Sequence, residues 1–209
     1  SPWLQRKVLE SWRENNPDWI LFLIDFKNLS EYVDDIDYLY DSSKNISPQA
    51  KSDIIRLSLL KNFGGVWADS TLLCMQPLDH WAFEAVKSSG MWMYHGHGAG
   101  LPSDIGPASW FILSEKNGYL ITAWKEACDF YWNQNNKVHD YFWMDALFKN
   151  LLEVDKKFKM EWLKTPFLYC EKLGSSHSLS HYNYKMQKNT KMLKNILKNK
   201  PPYVIKLSS

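Results

Sequence analysis

The sequence predicts an α/β fold in a single domain, with a mostly parallel sheet flanked by helices. Segments with strand patterns and helix patterns alternate along the 209 residues, which is typical of a sheet built with crossover connections. The apolar run Trp19–Ile24 (WILFLI) is continuous rather than alternating, as in a strand covered on both faces. No internal repeat or low-complexity segment divides residues 1–184.

Helices are predicted where apolar residues recur every three or four positions, and strands where apolar and aromatic residues run between turn residues. The first helix ends at an Asn-Asn-Pro sequence, and the second begins at Ser47, a favourable N-cap followed by proline, and ends at Gly64 or Gly65. In chain order we predict a helix over Leu4–Asn15, a strand over Trp19–Ile24, an irregular acidic segment over Tyr32–Ser43, a helix over Ser47–Phe63, strands over Val66–Leu73, Met91–Tyr94 and Ser109–Leu113, and helices over Gly118–Asn133 and Asp140–Leu152.

Residues 185–209 form a basic C-terminal tail, with a helix predicted over Lys185–Lys200, before Pro201-Pro202, that packs on the domain or extends from it. Four lysines recur every three residues within it, at Lys185, Lys188, Lys191 and Lys194. This stripe is either a solvated helix face or a surface that contacts anionic lipid. Both interpretations stay open.

Composition excludes several classes of protein. A net charge of +2 is too small to indicate nucleic-acid binding. The cysteines Cys74, Cys128 and Cys170 are widely spaced and form no CxxC pair, which argues against a disulfide framework or structural zinc and favours a reducing compartment. No apolar run approaches the ~20 residues of a membrane-spanning helix. We therefore expect a cytoplasmic protein, with peripheral membrane contact through the tail and membership of a larger multidomain chain left open.

The predicted second helix carries charged residues on a largely apolar surface. Asp53 and Arg56 are three positions apart, so their side chains can meet while partly buried. They are either a structural ion pair, which is costly to bury, or a pair at the floor of a cleft that binds hydroxyls and phosphates. Asp69 lies near the end of the following strand, where it could hold a divalent cation or be an ordinary surface carboxylate.

The residues around this helix resemble the signature of the capsular polysaccharide synthesis and Och1-like glycosyltransferases, related in outline to the glucosylating clostridial toxins. The pattern SDxxR…LL…GGvWxD is far more specific than a lone DxD, and the resemblance covers roughly the first three quarters of the chain. The matching segments are Ser52–Arg56, Leu59–Leu60 and Gly64–Asp69, and the resemblance extends to Glu10–Trp19, Ser109–Ile112 and Tyr141–Trp143.

The resemblance implies a GT-A-like fold and transfer of a sugar from a nucleotide diphosphate sugar to a hydroxyl of a glycan acceptor. A UDP-sugar is favoured and a GDP-sugar is the alternative; the product would retain the anomeric configuration, and Mn²⁺ or Mg²⁺ would assist. By this resemblance Asp53 contacts hydroxyls of the donor, Arg56 reaches the donor, and Asp69 binds ribose and metal. Thr71 replaces the second aspartate of DxD, which weakens the metal site.

Further candidates complete the predicted site. His177 and His181 are candidate metal ligands, because imidazole could replace the charge lost at Thr71. The alternative, favoured for each histidine taken singly, is a surface loop residue. Asp145 is a candidate catalytic residue on the acceptor side, or a polar residue of a helix. His95 and His97 form an HxH sequence in a glycine-rich loop without a third ligand.

Two other functions stay open. A non-catalytic module that binds carbohydrate or nucleotide sugar would need the same residues without turnover. A glycoside hydrolase would need two carboxylates across a cleft, and no such pair stands out in the sequence. Dehydrogenase and kinase functions lack a GxGxxG or P-loop motif.

Overall fold

The structure is a computed structural model, and it describes residues 2–95, 107–166, 181–182, 198 and 201–207. These residues form a mixed α/β arrangement. The helices are α1 (Pro2–Asn15), α2 (Pro48–Phe63), α3 (Ala82–Val86), α4 (Tyr119–Gln134), α5 (Trp143–Val154) and α6 (Lys156–Trp162), with 3₁₀ turns at Leu29–Glu31, Asp37–Tyr40 and Leu78–His80. The strands are β1 (Gly65–Ala68), β2 (Leu72–Cys74), β3 (Met91–His95), β4 (Pro107–Ser114), β5 (His181–Tyr182) and β6 (Val204–Leu207).

The strands form two small sheets that are mainly antiparallel. In the first, β4 lies between β1 and β3 and is antiparallel to both. In the second, β6 lies between β2, which is antiparallel to it, and β5, which is parallel to it. For the described residues, the predicted mostly parallel sheet is therefore wrong. Continuous apolar patterns misled the prediction, because a central antiparallel strand covered on both faces has the same pattern.

Two hydrophobic cores cover the two faces of the first sheet. Alternate residues of β3 enter different cores: Met91 and Met93 pack with α2, α4, α5 and α6, whereas Trp92 and Tyr94 pack with α1, α3 and the second sheet. The sheet is thus enclosed between helices on one side and a mixed layer on the other. This enclosure holds the ends of β1 and β4 in place.

The predicted buried strand Trp19–Ile24 is wrong. The segment has no strand assignment, and Ile20 and Phe22 are 78% and 57% exposed. An apolar run becomes a strand only when a neighbouring strand bonds to its backbone, and none of the strands that the structure describes pairs with it. The segment instead lines a cleft.

The second predicted helix is confirmed at both ends. The hydroxyl of Ser47 accepts a hydrogen bond from the Ala50 N–H at 3.2 Å, and the helix ends at Gly64, whose N–H donates to the Leu60 carbonyl at 2.8 Å. Gly64 has a φ of +70°, and a Cβ there would lie 2.6 Å from the backbone nitrogen of Lys116. Only glycine fits this turn, which returns the chain from α2 into β1.

Other predictions need smaller corrections. The strand predicted over Val66–Leu73 divides at Asp69 into β1 and β2, and α6 and β6 were not predicted. Apart from Lys198, the predicted helix Lys185–Lys200 lies outside the described residues, so this helix and its membrane contact stay predictions. The end of the tail forms β6. None of the helices that the structure describes is both long enough and apolar enough to cross a membrane.

Candidate functional site

An arginine between two carboxylates forms the centre of the site. Arg56 Nη2 lies 3.2 Å from Asp53 Oδ1 within α2 and 3.6 Å from Asp69 Oδ1 at the end of β1. The expected meeting of Asp53 and Arg56 is therefore confirmed. Because the Gly64 turn folds β1 back beside α2, Asp69 reaches the same guanidinium.

Neighbouring elements hold Arg56 rigidly. The side chain is 8% exposed, and Nη1 donates to the Ser109 carbonyl of β4 at 2.7 Å. The guanidinium carbon lies 5.3 Å from the centre of the Trp67 ring, a cation–π distance. Arg56 Nε is buried and has no hydrogen-bond partner among the residues described. The guanidinium is thus held by several neighbours, and its Nε–H is a donor that no described residue uses.

Burial perturbs the carboxyl group of Asp53. Burial raises its pKa to about 6, while Arg56 and the hydrogen bond from Trp143 oppose the increase and Asp145 and Asp69 add to it. The indole of Trp143 donates to Asp53 Oδ2 at 3.1 Å. At neutral pH the carboxylate is mostly ionised, so it can accept hydrogen bonds from ligand hydroxyls.

Asp69 is held by a residue that the sequence did not indicate. Lys206 Nζ, from the C-terminal strand β6, lies 3.0 Å from Asp69 Oδ2 and 5.1 Å from the centre of the Trp110 ring. The indole of Trp67 donates to Asp69 Oδ1 at 3.0 Å. The β-branched and apolar residues of Val204–Leu207 could have suggested a strand, but no local signal could have placed Lys206 beside Asp69.

The charged cluster opens into a cleft of about 1430 Å³. This volume exceeds the roughly 300–1,000 Å³ of most small-molecule pockets. Thr71 and Asp145 also line the cleft, and Asp145 is 6% exposed near the start of α5. Exposed apolar side chains also line the cleft, namely Ile20, Leu21, Phe22, Leu23, Phe63 and Tyr141.

Only some of the predicted metal ligands lie among the residues that the structure describes. Asp69 lies in the cleft, His177 lies outside the described residues, and His181 occupies the register position beside Lys206. Within the described part of the chain, no three His, Cys, Asp or Glu residues group so as to hold a metal ion. Asp69 has suitable ligand chemistry for Mn²⁺ or Mg²⁺, but a cation must take Oδ2 from Lys206. The metal site stays a prediction.

The HxH sequence does not form a described metal site. His95 is buried, its ring lies 4.7 Å from that of Trp162, and burial lowers its pKa to about 4. His97 lies outside the described residues. His95 is therefore a core residue at the end of β3.

Comparison with known proteins identifies the family. A family model described as capsular polysaccharide synthesis protein matches residues 1–208. The chain belongs to the capsular polysaccharide synthesis family. This confirms the resemblance seen in the segments around Asp53, Arg56 and Asp69.

Two curated fungal proteins are similar to parts of this family member. One is an O-glycosyltransferase, braB, of Annulohypoxylon truncatum, 33% identical over 79 residues, which are 33% of this chain and 19% of the relative. The other is a glycosyltransferase, afumC, of Aspergillus fumigatus, 26% identical over 142 residues, which are 63% of this chain and 35% of the relative. The chain thus spans about a third or less of the curated relatives it matches.

Proposed function

We propose that this member of the capsular polysaccharide synthesis family is a glycosyltransferase that moves a sugar from a nucleotide diphosphate sugar to a hydroxyl of a glycan acceptor. The observation that carries the proposal is Arg56, held between Asp53 and Asp69 at 3.2 and 3.6 Å in a large cleft. Family membership and the two relatives named as glycosyltransferases support it. A UDP-sugar is the favoured donor, with a GDP-sugar as the alternative, and the proposed fold is GT-A-like.

Each side chain of the cluster has a proposed task. Asp53 accepts hydrogen bonds from sugar or ribose hydroxyls, because it is a mostly ionised carboxylate in the cleft. Arg56 donates hydrogen bonds to the nucleotide sugar through guanidinium N–H groups that do not bind the Ser109 carbonyl. Asp69 contacts ribose, and Asp145, on the neighbouring helix, faces the acceptor.

The proposed chemistry depends on stabilising the leaving diphosphate. Negative charge grows on the diphosphate as the glycosidic bond breaks, so a cation fixed before the reaction stabilises the transition state more than the ground state. Arg56 meets this requirement, because its contacts to Asp53 and Ser109 hold it in place. We propose retention by front-face attack, in which the acceptor hydroxyl passes its proton to the departing phosphate and no protein base is needed.

A divalent ion is part of the proposal. Asp69 would hold Mn²⁺ or Mg²⁺, with Thr71 as a weak neutral neighbour and His177 or His181 as further candidate ligands. The ion would supply additional positive charge to the diphosphate.

A panel of nucleotide sugars, screened for donor hydrolysis and thermal shift with and without Mn²⁺, tests the proposal. A donor at 100 times its dissociation constant adds about 2.7 kcal/mol of stability, which raises Tm by roughly 5–10 °C in a domain of this size. We expect such a shift for one donor, its loss in Asp69→Asn, and its retention in the matched control Asp34→Asn, an exposed aspartate outside the cleft.

The same panel separates the alternatives. Binding of a donor without release of nucleotide diphosphate, even with acceptors present, would favour a non-catalytic binding module. Release of sugar from a simple glycoside without any nucleotide would favour a glycoside hydrolase. No shift and no turnover with any nucleotide sugar would contradict the proposed function.

A further inference from the structure

Lys206 is placed at the site by strand pairing and packing. On the same strand, Val204 and Ile205 are 1% and 4% exposed, so β6 is anchored in the core. The register of β2 and β6 pairs Leu72 with Lys206. Lys206 therefore lies beside the start of β2, immediately after Asp69, Ser70 and Thr71. The C-terminal strand therefore brings a lysine to the motif region from 137 positions away in sequence.

Two cations of different exposure share the Asp69 carboxylate. Arg56 approaches Oδ1 and is fixed by Asp53 and by the Ser109 carbonyl. Lys206 approaches Oδ2 at 3.0 Å, and its side chain is 24% exposed at the edge of the cleft. A lysine ammonium is a compact charge on a flexible stem, so Lys206 can change partners without disturbing the packing of β6.

We propose that Lys206 is, after Arg56, the second cation of the donor site. Its ammonium leaves Asp69 for the diphosphate when the nucleotide sugar binds. When no nucleotide sugar is present, Lys206 competes with a divalent ion for Asp69. This inference rests on the proposed function. A diphosphate offers Lys206 more negative charge than one carboxylate does, and charge-assisted bonds to phosphate are strong. Departure of Lys206 frees Asp69 Oδ2 for ribose or for a metal ion.

The proposal also accounts for Thr71. Thr71 is a neutral residue in place of a second acid, and Asp69 is already paired with Lys206. A bare divalent ion must displace this ammonium and would then have fewer anionic ligands. The donor removes the obstacle, because its phosphates attract Lys206 and also coordinate the ion.

Calorimetric titration with uridine diphosphate tests the first half of the proposal. We measure binding in EDTA for wild type, Lys206→Met, Lys206→Arg and the control Lys164→Met, whose lysine pairs with Glu161 at 2.8 Å and is 51% exposed outside the cleft. Lys206→Met should weaken binding roughly tenfold to hundredfold. Lys206→Arg should stay within a few-fold of wild type, and Lys164→Met should not change.

Manganese binding without nucleotide tests the second half. Electron paramagnetic resonance of free Mn²⁺ should show several-fold tighter binding to Lys206→Met than to wild type, and no change for Lys164→Met. This readout does not depend on activity. Should Lys206→Met fail to fold, Lys206→Gln is measured in the same two assays.

The outcomes separate this inference from the proposed function. If uridine diphosphate binds wild type, is lost in Arg56→Met and is unaffected in Lys206→Met, the inference about Lys206 is overturned and the proposed function stands. Equal Mn²⁺ affinity in wild type and Lys206→Met overturns the competition. If no nucleotide diphosphate or nucleotide sugar binds wild type, both proposals fail.

Discussion

Replacing Arg56 by methionine should destabilise the protein through the charges it leaves behind. Methionine keeps much of the length of the arginine stem but carries no charge and no donor. In its presence Asp53 retains the indole of Trp143 as a hydrogen-bond donor, and Asp69 retains Lys206. Asp53 loses its ion pair at a position that is only 13% exposed.

The magnitude follows from the burial of Asp53. Removing one partner of a buried ion pair costs about 3–5 kcal/mol, and the lost bond to the Ser109 carbonyl adds roughly 1 kcal/mol. Protonation of Asp53 limits the cost, because its pKa is already about 6 with Arg56 present and rises further without it. We therefore expect a loss of about 3 kcal/mol at pH 7 and less at pH 5.

Urea unfolding with a double-mutant cycle measures this effect. Asp53→Asn combined with Arg56→Met should recover about 1–2 kcal/mol relative to Arg56→Met alone, because no buried charge is stranded. Arg6→Met, at an exposed position of α1, is the control and should change stability by less than about 0.5 kcal/mol. A cost of Arg56→Met below about 1 kcal/mol, or additivity in the cycle, would refute the reasoning.

Three further predictions concern the same elements. Because the pKa of Asp53 is raised to about 6, the contribution of this residue to stability is complete below its ordinary pKa and is lost as pH rises through about 6. The free energy of unfolding, measured between pH 4 and 7.5, should therefore fall more steeply in wild type than in Asp53→Asn. Parallel curves would contradict the raised pKa of Asp53. Trp143→Phe removes the indole N–H that donates a hydrogen bond to Asp53, so the pKa of Asp53 rises. The pH at which binding of the nucleotide sugar is half-maximal should then shift upward in calorimetric titrations, and an unchanged midpoint would exclude a role for this hydrogen bond. Gly64→Ala places a Cβ 2.6 Å from the Lys116 nitrogen at a φ of +70°, and should cost at least about 2 kcal/mol in urea unfolding, whereas a stabilised variant would show that the turn is not strained.

Local patterns were sufficient to predict the helix at the centre of the site. The N-cap at Ser47, the end at Gly64 and the meeting of Asp53 with Arg56 depend on residues within one or two helical turns. Such short-range rules do not depend on how the rest of the chain packs. The motif also predicted that Asp69 lies at the end of the strand that follows α2. The glycine turn at Gly64 joins α2 directly to β1, and this connection brings Asp69 close to Arg56.

Long-range pairing set the limit of prediction. The bond from Trp143 to Asp53 spans 90 positions and that from Lys206 to Asp69 spans 137, and no local pattern specifies which distant side chains meet. The same reason explains the error at Trp19–Ile24, since hydrophobicity indicates burial but a strand needs a partner edge. Strand direction in the first sheet was also a property of pairing, which the apolar pattern alone could not reveal.

The most direct test of the proposed donor site is a crystal structure of the protein soaked with the nucleotide sugar that binds most tightly in the panel. The account predicts the diphosphate within hydrogen-bond distance of Arg56, and sugar or ribose hydroxyls at Asp53 and Asp69. A donor bound elsewhere, with Asp53, Arg56 and Asp69 still paired only to one another and to Lys206, would contradict it.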